Sequence, residues 1–345
     1  MQFFVKFAPM DFKSVIHPLA SLIEQSDNIA IVTHEHPDGD AAGSSSALAH
    51  YFRHLGKSQV SLIREPLPST LSFIDPQPTL YGDEAIEALK SADVIFCTDF
   101  CDPNRAGGVP GEAIEMSPAK KVLIDHHVGA PLEKYDLAIS RTDVSSASEL
   151  VYFIIKRLLS GLQKEKEFLF SGACGYYLMV GMTTDTNNFA CATYSSTLRM
   201  ASDLVNYGIN RNEIISQLYN NYRENRVRAM AFILSERLEI REDGLAILKV
   251  SEEDWHRFGL REGELEGLVN IPLSIDRVKV SLYLREDGSV VRASVRSKRG
   301  YSARTMARTY FHGGGHELAS GGKLYIGTDI PAFAEIDEYL KKVNI

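Results

Sequence analysis

The feature that most constrains this chain is a set of acidic and histidine residues placed where short apolar runs end. Asp125-His126-His127 follows Lys121-Val-Leu-Ile124, His34-Glu35-His36-Pro37-Asp38-Gly39-Asp40 follows Ile29-Ala-Ile-Val-Thr33, and Asp99 follows Asp93-Val-Ile-Phe-Cys-Thr98. Apolar runs of this length, bounded by turn residues, read as buried parallel strands. Ligands of open α/β sheets bind beyond the carboxyl ends of such strands. Three strand ends therefore deliver carboxylates and imidazoles to one rim, and Asp185, in Gly181-Met-Thr-Thr-Asp185, joins from farther along the chain.

Singly, each motif has an ordinary reading. Asp38-Gly-Asp is usually a turn or helix cap, and a histidine at a strand end is usually structural. Three motifs at equivalent strand ends make those readings a joint coincidence, and a metal site explains them together. Hard divalent ions prefer carboxylate oxygen, and imidazole shifts the preference toward manganese, iron, cobalt or zinc. Two ions roughly 3.5–4 Å apart need a bridging carboxylate and two or three further ligands each. His34, Asp38, Asp40, Asp99, His126 and Asp185 supply enough groups. The expected cofactors are two divalent cations, manganese first, with magnesium or cobalt as alternatives.

The 345 residues suggest two domains. Strand-like and helix-like segments alternate in the first half, with helices at 41–55 and 83–91 and a strand at 59–63, which predicts βαβ units and a mainly parallel sheet flanked by helices. Ser146-Ala-Ser-Glu149 has the form of a capping box opening a helix. Residues 164–236 read as mostly helical, with interruptions at Asp185 and Gly208. Beyond them the pattern turns to strands, with a hairpin turn at Glu286-Asp-Gly-Ser289, a helix over 302–310, a glycine-rich loop and a closing helix from Pro331. The expected division is residues 1–219, a connecting helix over 220–239, and a smaller α+β domain over 240–345.

No run of 18 apolar residues exists, so no spanning helix is expected. The start, Met1–Phe7, is apolar but too short and badly flanked for a secretory signal. Cys97, Cys101, Cys174 and Cys191 form no C-x-x-C pair, which argues against a zinc site built on them and for reduced thiols in a cytoplasmic protein. The net charge of −8 disfavours long nucleic acid as a partner, yet Arg292, Arg296, Lys298, Arg299, Arg304 and Arg308 lie in a stretch with no acid. A small, strongly negative substrate suits that distribution better than a long duplex. Gly313, Gly314 and Gly315 let main-chain amides approach a phosphate closely.

These motifs, in this order, resemble those of the DHH phosphoesterase superfamily, named for the triplet at 125–127. His34-x-x-x-Asp38-x-Asp40, Asp99 with Arg105 and Gly107 beyond it, and Asp185-Thr186 with Phe189 beyond it all match. Arg292-Ala-Ser-Val-Arg-Ser-Lys298 and Gly313-Gly-Gly-His316 resemble the DHHA1 substrate-binding domain, so the likeness covers nearly the whole chain. In length and layout the chain is similar to the bifunctional oligoribonuclease and phosphoadenosine-phosphate phosphatase type, the nanoRNases.

The resemblance implies one cation on His34, Asp38 and Asp99 and another on Asp40, Asp99, His126 and Asp185, with Asp99 bridging. It makes Asp125 and His127 catalytic, Asp125 orienting and His127 facing the reacting phosphate. Arg296, Ser297, Gly314, Gly315 and His316 would grip the substrate, with the active site in a cleft between the domains. Where relatives carry another glycine this chain has His312, which either caps the helix ending near Tyr310 or contacts an anion. The implied activity is hydrolysis of very short single-stranded oligonucleotides to mononucleotides, together with removal of the 3′-phosphate of phosphoadenosine phosphate. The alternatives are a phosphodiesterase for a linear or cyclic di-adenylate and an inactive nucleotide-binding module. No membrane partner is implied, and a homodimer is compatible with the family.

Overall fold

The apolar runs that end in acidic residues form one sheet. In the computed structural model, which describes residues 13–74 and 78–345, the strands are β1 (Asn28–Val32), β2 (Gln59–Ile63), β3 (Val94–Thr98), β4 (Lys120–Asp125) and β5 (Leu137–Ser140). Their order is β2-β1-β3-β4-β5, and every neighbouring pair is parallel. The order reverses direction between β1 and β3, and such a switch point is where open sheets hold ligands. The expectation of a mainly parallel sheet is met. β5 escaped the sequence reading because four residues at a sheet edge carry too little periodicity. The apolar start at Met1–Phe7 lies outside the described residues.

The helices of this part are α1 (Lys13–Gln25), α2 (Gly39–His54), α3 (Asp83–Ser91), α4 (Gly108–Met116), α5 (Ala147–Leu158), α6 (Gln163–Phe170), α7 (Ala173–Asp185), α8 (Ser195–Asn206) and α9 (Arg211–Tyr219). Strand periodicity divides them between two faces. Ile31, Phe96 and Ile124 share an apolar cluster with Leu48 of α2, Ile154 of α5 and Leu178 of α7. Val32, Cys97 and Leu123, one residue out of phase, pack with Leu89 of α3 and Ile114 of α4.

Helix α2 is built of small residues, Gly39-Asp-Ala-Ala-Gly-Ser-Ser-Ser-Ala-Leu-Ala49, and is buried over nearly its whole length. The reason is its crossing with α7. A Cβ on Gly43 would lie 2.5 Å from the Tyr177 carbonyl oxygen and 3.0 Å from Gly181 N, so the two backbones touch without side chains between them. One on Gly181 would lie 2.0 Å from Ser148 Oγ and 2.9 Å from Asp40 Oδ1. The small residues thus bring α2, α5 and α7 together at the sheet's carboxyl rim.

The chain divides at Asn220/Asn221 into two compact units. The second holds α10 (Glu224–Glu236), β6 (Leu238–Ile240), β7 (Leu245–Val250), α11 (Glu252–Arg257), β8 (Val280–Asp287), β9 (Val290–Ser297), α12 (Ala303–Tyr310), β10 (Gly314–Gly315), β11 (Ala319–Tyr325) and α13 (Ile336–Leu340). Its sheet runs β10-β11-β9-β8-β7-β6, with β7 and β8 parallel and the other pairs antiparallel. Ala229 and Ile233 of α10 pack with Leu248 and Val250, whereas Ala307 of α12 and Ile336 of α13 pack on Leu282, Ala293 and Leu324. The hairpin expected at 286–289 joins β8 to β9, with Asp287 opposite Val290 and Gly288 at φ +60°.

One expectation needs correction: the glycine-rich loop is partly an edge strand. Gly314 and Gly315 pair with Gly321 and Ser320. A Cβ on Gly313 would sit 2.0 Å from the Gly321 carbonyl oxygen, and Gly315 adopts φ +137°, so only bare backbone closes to this distance. His312 adopts φ +45° just past α12, the helix-ending conformation that glycine favours. Its Nε2 lies 3.0 Å from Asp329 Oδ1. No described helix is long and apolar enough to cross a membrane.

Replacing Gly43 by alanine tests the α2–α7 crossing. Helix propensity favours alanine by about 1 kcal/mol, but overpacking costs about 1–3 kcal/mol. The expected result is a lower urea midpoint with unchanged slope. A midpoint at or above that of the parent protein would show that the helices have room to part.

Candidate metal centre

The six expected ligand residues converge beyond the ends of β1, β3 and β4 and at the end of α7. Asp99, first after β3, adopts φ +64°, a left-handed conformation that aspartate tolerates better than most residues. Its amide donates to the Ile124 carbonyl at 3.0 Å, which pins the turn to β4. The carboxylate is buried. Oδ2 lies 3.6 Å from His34 Nε2 and Oδ1 3.3 Å from His126 Nε2, yet Oδ1 takes no hydrogen bond of good geometry. His34, Asp38 and Asp99 each offer a ligand atom within 4.8 Å of the other two, as do Asp40, Asp99 and His126. Asp99 belongs to both sets.

Local structure aims each side chain. The Glu35 carbonyl lies 2.7 Å from His34 Nδ1, which directs Nε2 into the site. Asp38 is both helix cap and candidate ligand. Its Oδ1 accepts from the amides of Asp40 and Ala41 at 3.0 Å each, and it lies 3.9 Å from His34 Nε2. Asp40, in the first turn of α2, is buried, and its two oxygens accept from Ala147 N at 2.6 Å and Ser148 N at 2.9 Å. His126 Nε2 lies 3.4 Å from Asp185 Oδ2 and 3.9 Å from Asp40 Oδ2. Asp125, fully buried at the end of β4, accepts from His127 twice: Nδ1 at 2.7 Å and the backbone amide at 3.1 Å.

The protonation equilibria record the crowding of charge. Burial, with the carboxylates of Asp99 and Asp185 beside it, pushes the Asp40 carboxyl well above its ordinary range. Burial also raises Asp185, more than the imidazole of His126 lowers it. For Asp99 burial is outweighed by His126 and His34, which hold its carboxyl well below the usual range. His34 loses to burial but gains more from Asp99 and Asp38 and rises to about 9. His126 is raised in the same way, with Asp185 and Asp99 overcoming its burial. Among the described residues, no lysine or arginine forms an ion pair with Asp38, Asp40, Asp99 or Asp185. Carboxylates and imidazoles gathered without a paired lysine or arginine, around a buried carboxylate oxygen with no well-aligned donor, fit hard divalent metal ions.

His36, left out of the ligand set, points elsewhere: its Nδ1 lies 3.1 Å from Glu65 Oε2 and the ring is exposed. In the second unit, Arg296 lies on β9 opposite Ser281 and Ala319. Ser297 is buried, and its hydroxyl donates to the Tyr301 carbonyl at 2.7 Å. Gly314 and Gly315 form β10, and the His316 amide donates to Ala319 at 2.8 Å. The sequence reading missed the two amides that hold Asp40. Backbone donors carry no residue signature; the only hint was the capping pattern at 146–149.

Residues 28–182 match the DHH family, N-terminal domain, and residues 242–342 match the DHHA1 domain. The bifunctional oligoribonuclease and PAP phosphatase NrnA of Bacillus subtilis (strain 168) is 30% identical over 312 residues, covering 89% of this chain and 92% of that one. Its namesake in Thermus thermophilus is 30% identical over 298 residues, covering 86% and 84%. The crystal structure of an exopolyphosphatase-related protein from Bacteroides fragilis superposes with a TM-score of 0.84 at 32% identity, covering 95% of each chain. With the ligand cage at the sheet's switch point and both domains matched in order, the chain belongs to the DHH family of phosphoesterases, metal-dependent hydrolytic enzymes.

Proposed function

We propose that this enzyme uses two divalent cations, manganese before magnesium or cobalt, to hydrolyse very short oligonucleotides to mononucleotides and to remove the 3′-phosphate of phosphoadenosine phosphate. The observation that carries this reading is that Asp99 is common to a set with His34 and Asp38 and a set with Asp40 and His126, in a chain 30% identical to two proteins named for those activities. One cation would sit on His34, Asp38 and Asp99, the other on Asp40, Asp99, His126 and Asp185. When bound, such ions polarise phosphoryl oxygens and lower the pKa of water.

The residues around them hold and orient. Asp125 fixes the His127 ring through Nδ1, which makes Nε2 the atom to face a phosphate oxygen and supply it with a hydrogen bond or proton. Arg296 suits a terminal phosphate through its planar fork, aided by Ser297, His316 and the Gly314 and Gly315 amides. Short single strands and small phosphorylated nucleotides, rather than long duplexes, are the proposed substrates. No disulfide joins the four cysteines, in keeping with a cytoplasmic enzyme; we also propose a homodimer.

A substrate panel with manganese tests the reading: an RNA dinucleotide, phosphoadenosine phosphate, linear di-adenylate and tripolyphosphate. Faster turnover of the first two is expected, and a preference for tripolyphosphate or di-adenylate would replace the proposed substrates. Asp99→Asn keeps a residue that tolerates φ +64° while removing the shared charge. Turnover should fall by more than about a hundredfold in a protein that still folds by circular dichroism, and ordinary turnover would reject the shared ligand. Arg296→Ala and His316→Ala should each raise the KM for nucleotides by about tenfold or more and barely change that for a small chromogenic phosphodiester. Equal effects on both would remove the second unit from substrate recognition.

A further inference from the structure

Helix α5 begins against the metal centre, and each of its first four amides has an acceptor. Ala147 N and Ser148 N donate to Asp40, Glu149 N to Ser146 Oγ at 3.0 Å, and Leu150 N to the Ser146 carbonyl at 3.3 Å. Asp40 is thus an anion held at a helix N-terminus by two charge-assisted bonds. What fixes the helix is Glu149, a fully buried carboxylate. Its Oε2 accepts from Ser145 N at 3.0 Å, Ser145 Oγ at 2.6 Å and Thr197 Oγ1 at 2.7 Å. Thr197 in turn accepts from Tyr194 N at 3.1 Å, closing the first turn of α8.

The expected capping box is therefore only half present. Ser146 caps α5, but the Glu149 side chain bypasses the Ser146 amide for Ser145 and reaches across to α8. That destination matters because α8 follows directly on the segment 186–194, which leads away from Asp185. Within that segment Asn187, Asn188 and Phe189 all adopt positive φ, so its path is tightly prescribed. Glu149 is a buried crosslink between the element that grips Asp40 and the element that anchors the chain beyond Asp185.

We infer that Glu149 and Thr197 are positioning residues for the cation held by Asp40 and Asp185, and that they set its affinity without touching it. This rests on the two-cation reading above. Groups that orient metal ligands typically change affinity about 10–100-fold when removed, and the other cation, whose private ligands His34 and Asp38 are oriented by the Glu35 carbonyl and the first amides of α2 rather than by α5 or α8, should be spared.

The test is calorimetric titration of manganese into metal-depleted protein. The parent should show two binding steps, and Asp185→Asn identifies the step that Asp185 serves. Thr197→Val and Glu149→Gln should weaken that same step about 10–100-fold and leave the other unchanged, while Thr197→Ser restores both. Unchanged steps, or both weakened alike, would overturn the inference. A parent that fails to bind two ions would instead sink the functional reading. If Glu149→Gln does not fold by circular dichroism, Thr197→Val, which loses one hydroxyl at constant shape, decides the matter.

Discussion

The structure depends on keeping four carboxylates together with, among the described residues, no lysine or arginine paired to them. Coulomb repulsion at such distances is severe in a low dielectric, so the fold must hold the groups in place by other means. It does so with backbone. Asp38 is held by amides of its own helix, Asp40 by amides of α5, and Asp99 by a left-handed turn bonded to β4. None of these restraints relies on a flexible side chain, which is why the cage keeps its shape while its charges oppose one another.

The same demand explains the peculiar composition of α2. The glycines and serines of this helix are poor choices on propensity alone. Its value is thinness: with no side chains at the crossing, α2 meets α7 backbone to backbone, and Asp40 comes within reach of both α5 and α7. Tertiary packing overrides the local preference, and the glycines at 43 and 181 mark where it does so.

Much of this was legible in the sequence because strand ends and ligand types are written in residue identity. β1, β3 and β4, the acidic rim and the hairpin at 286–289 all follow from apolar runs and turn residues. What was not legible depends on backbone geometry. Nothing in the letters shows that Asp99 is left-handed, that Glu149 reaches α8, or that Gly314 and Gly315 lie in a strand. Three glycines say only that side chains are absent; here the absence serves close strand pairing, which a reading as a loop could not anticipate. His312 is the converse case, a side chain where the helix end favours none, held by Asp329.

The two sheets have separate interiors, and the boundary at Asn220/Asn221 falls between them. Mutational drift therefore has unequal freedom in the two halves. Changes that reshape β9, β11 or the glycine edge strain only the second interior, so that sheet can vary its surface while the carboxylates and imidazoles gathered on the first keep their places.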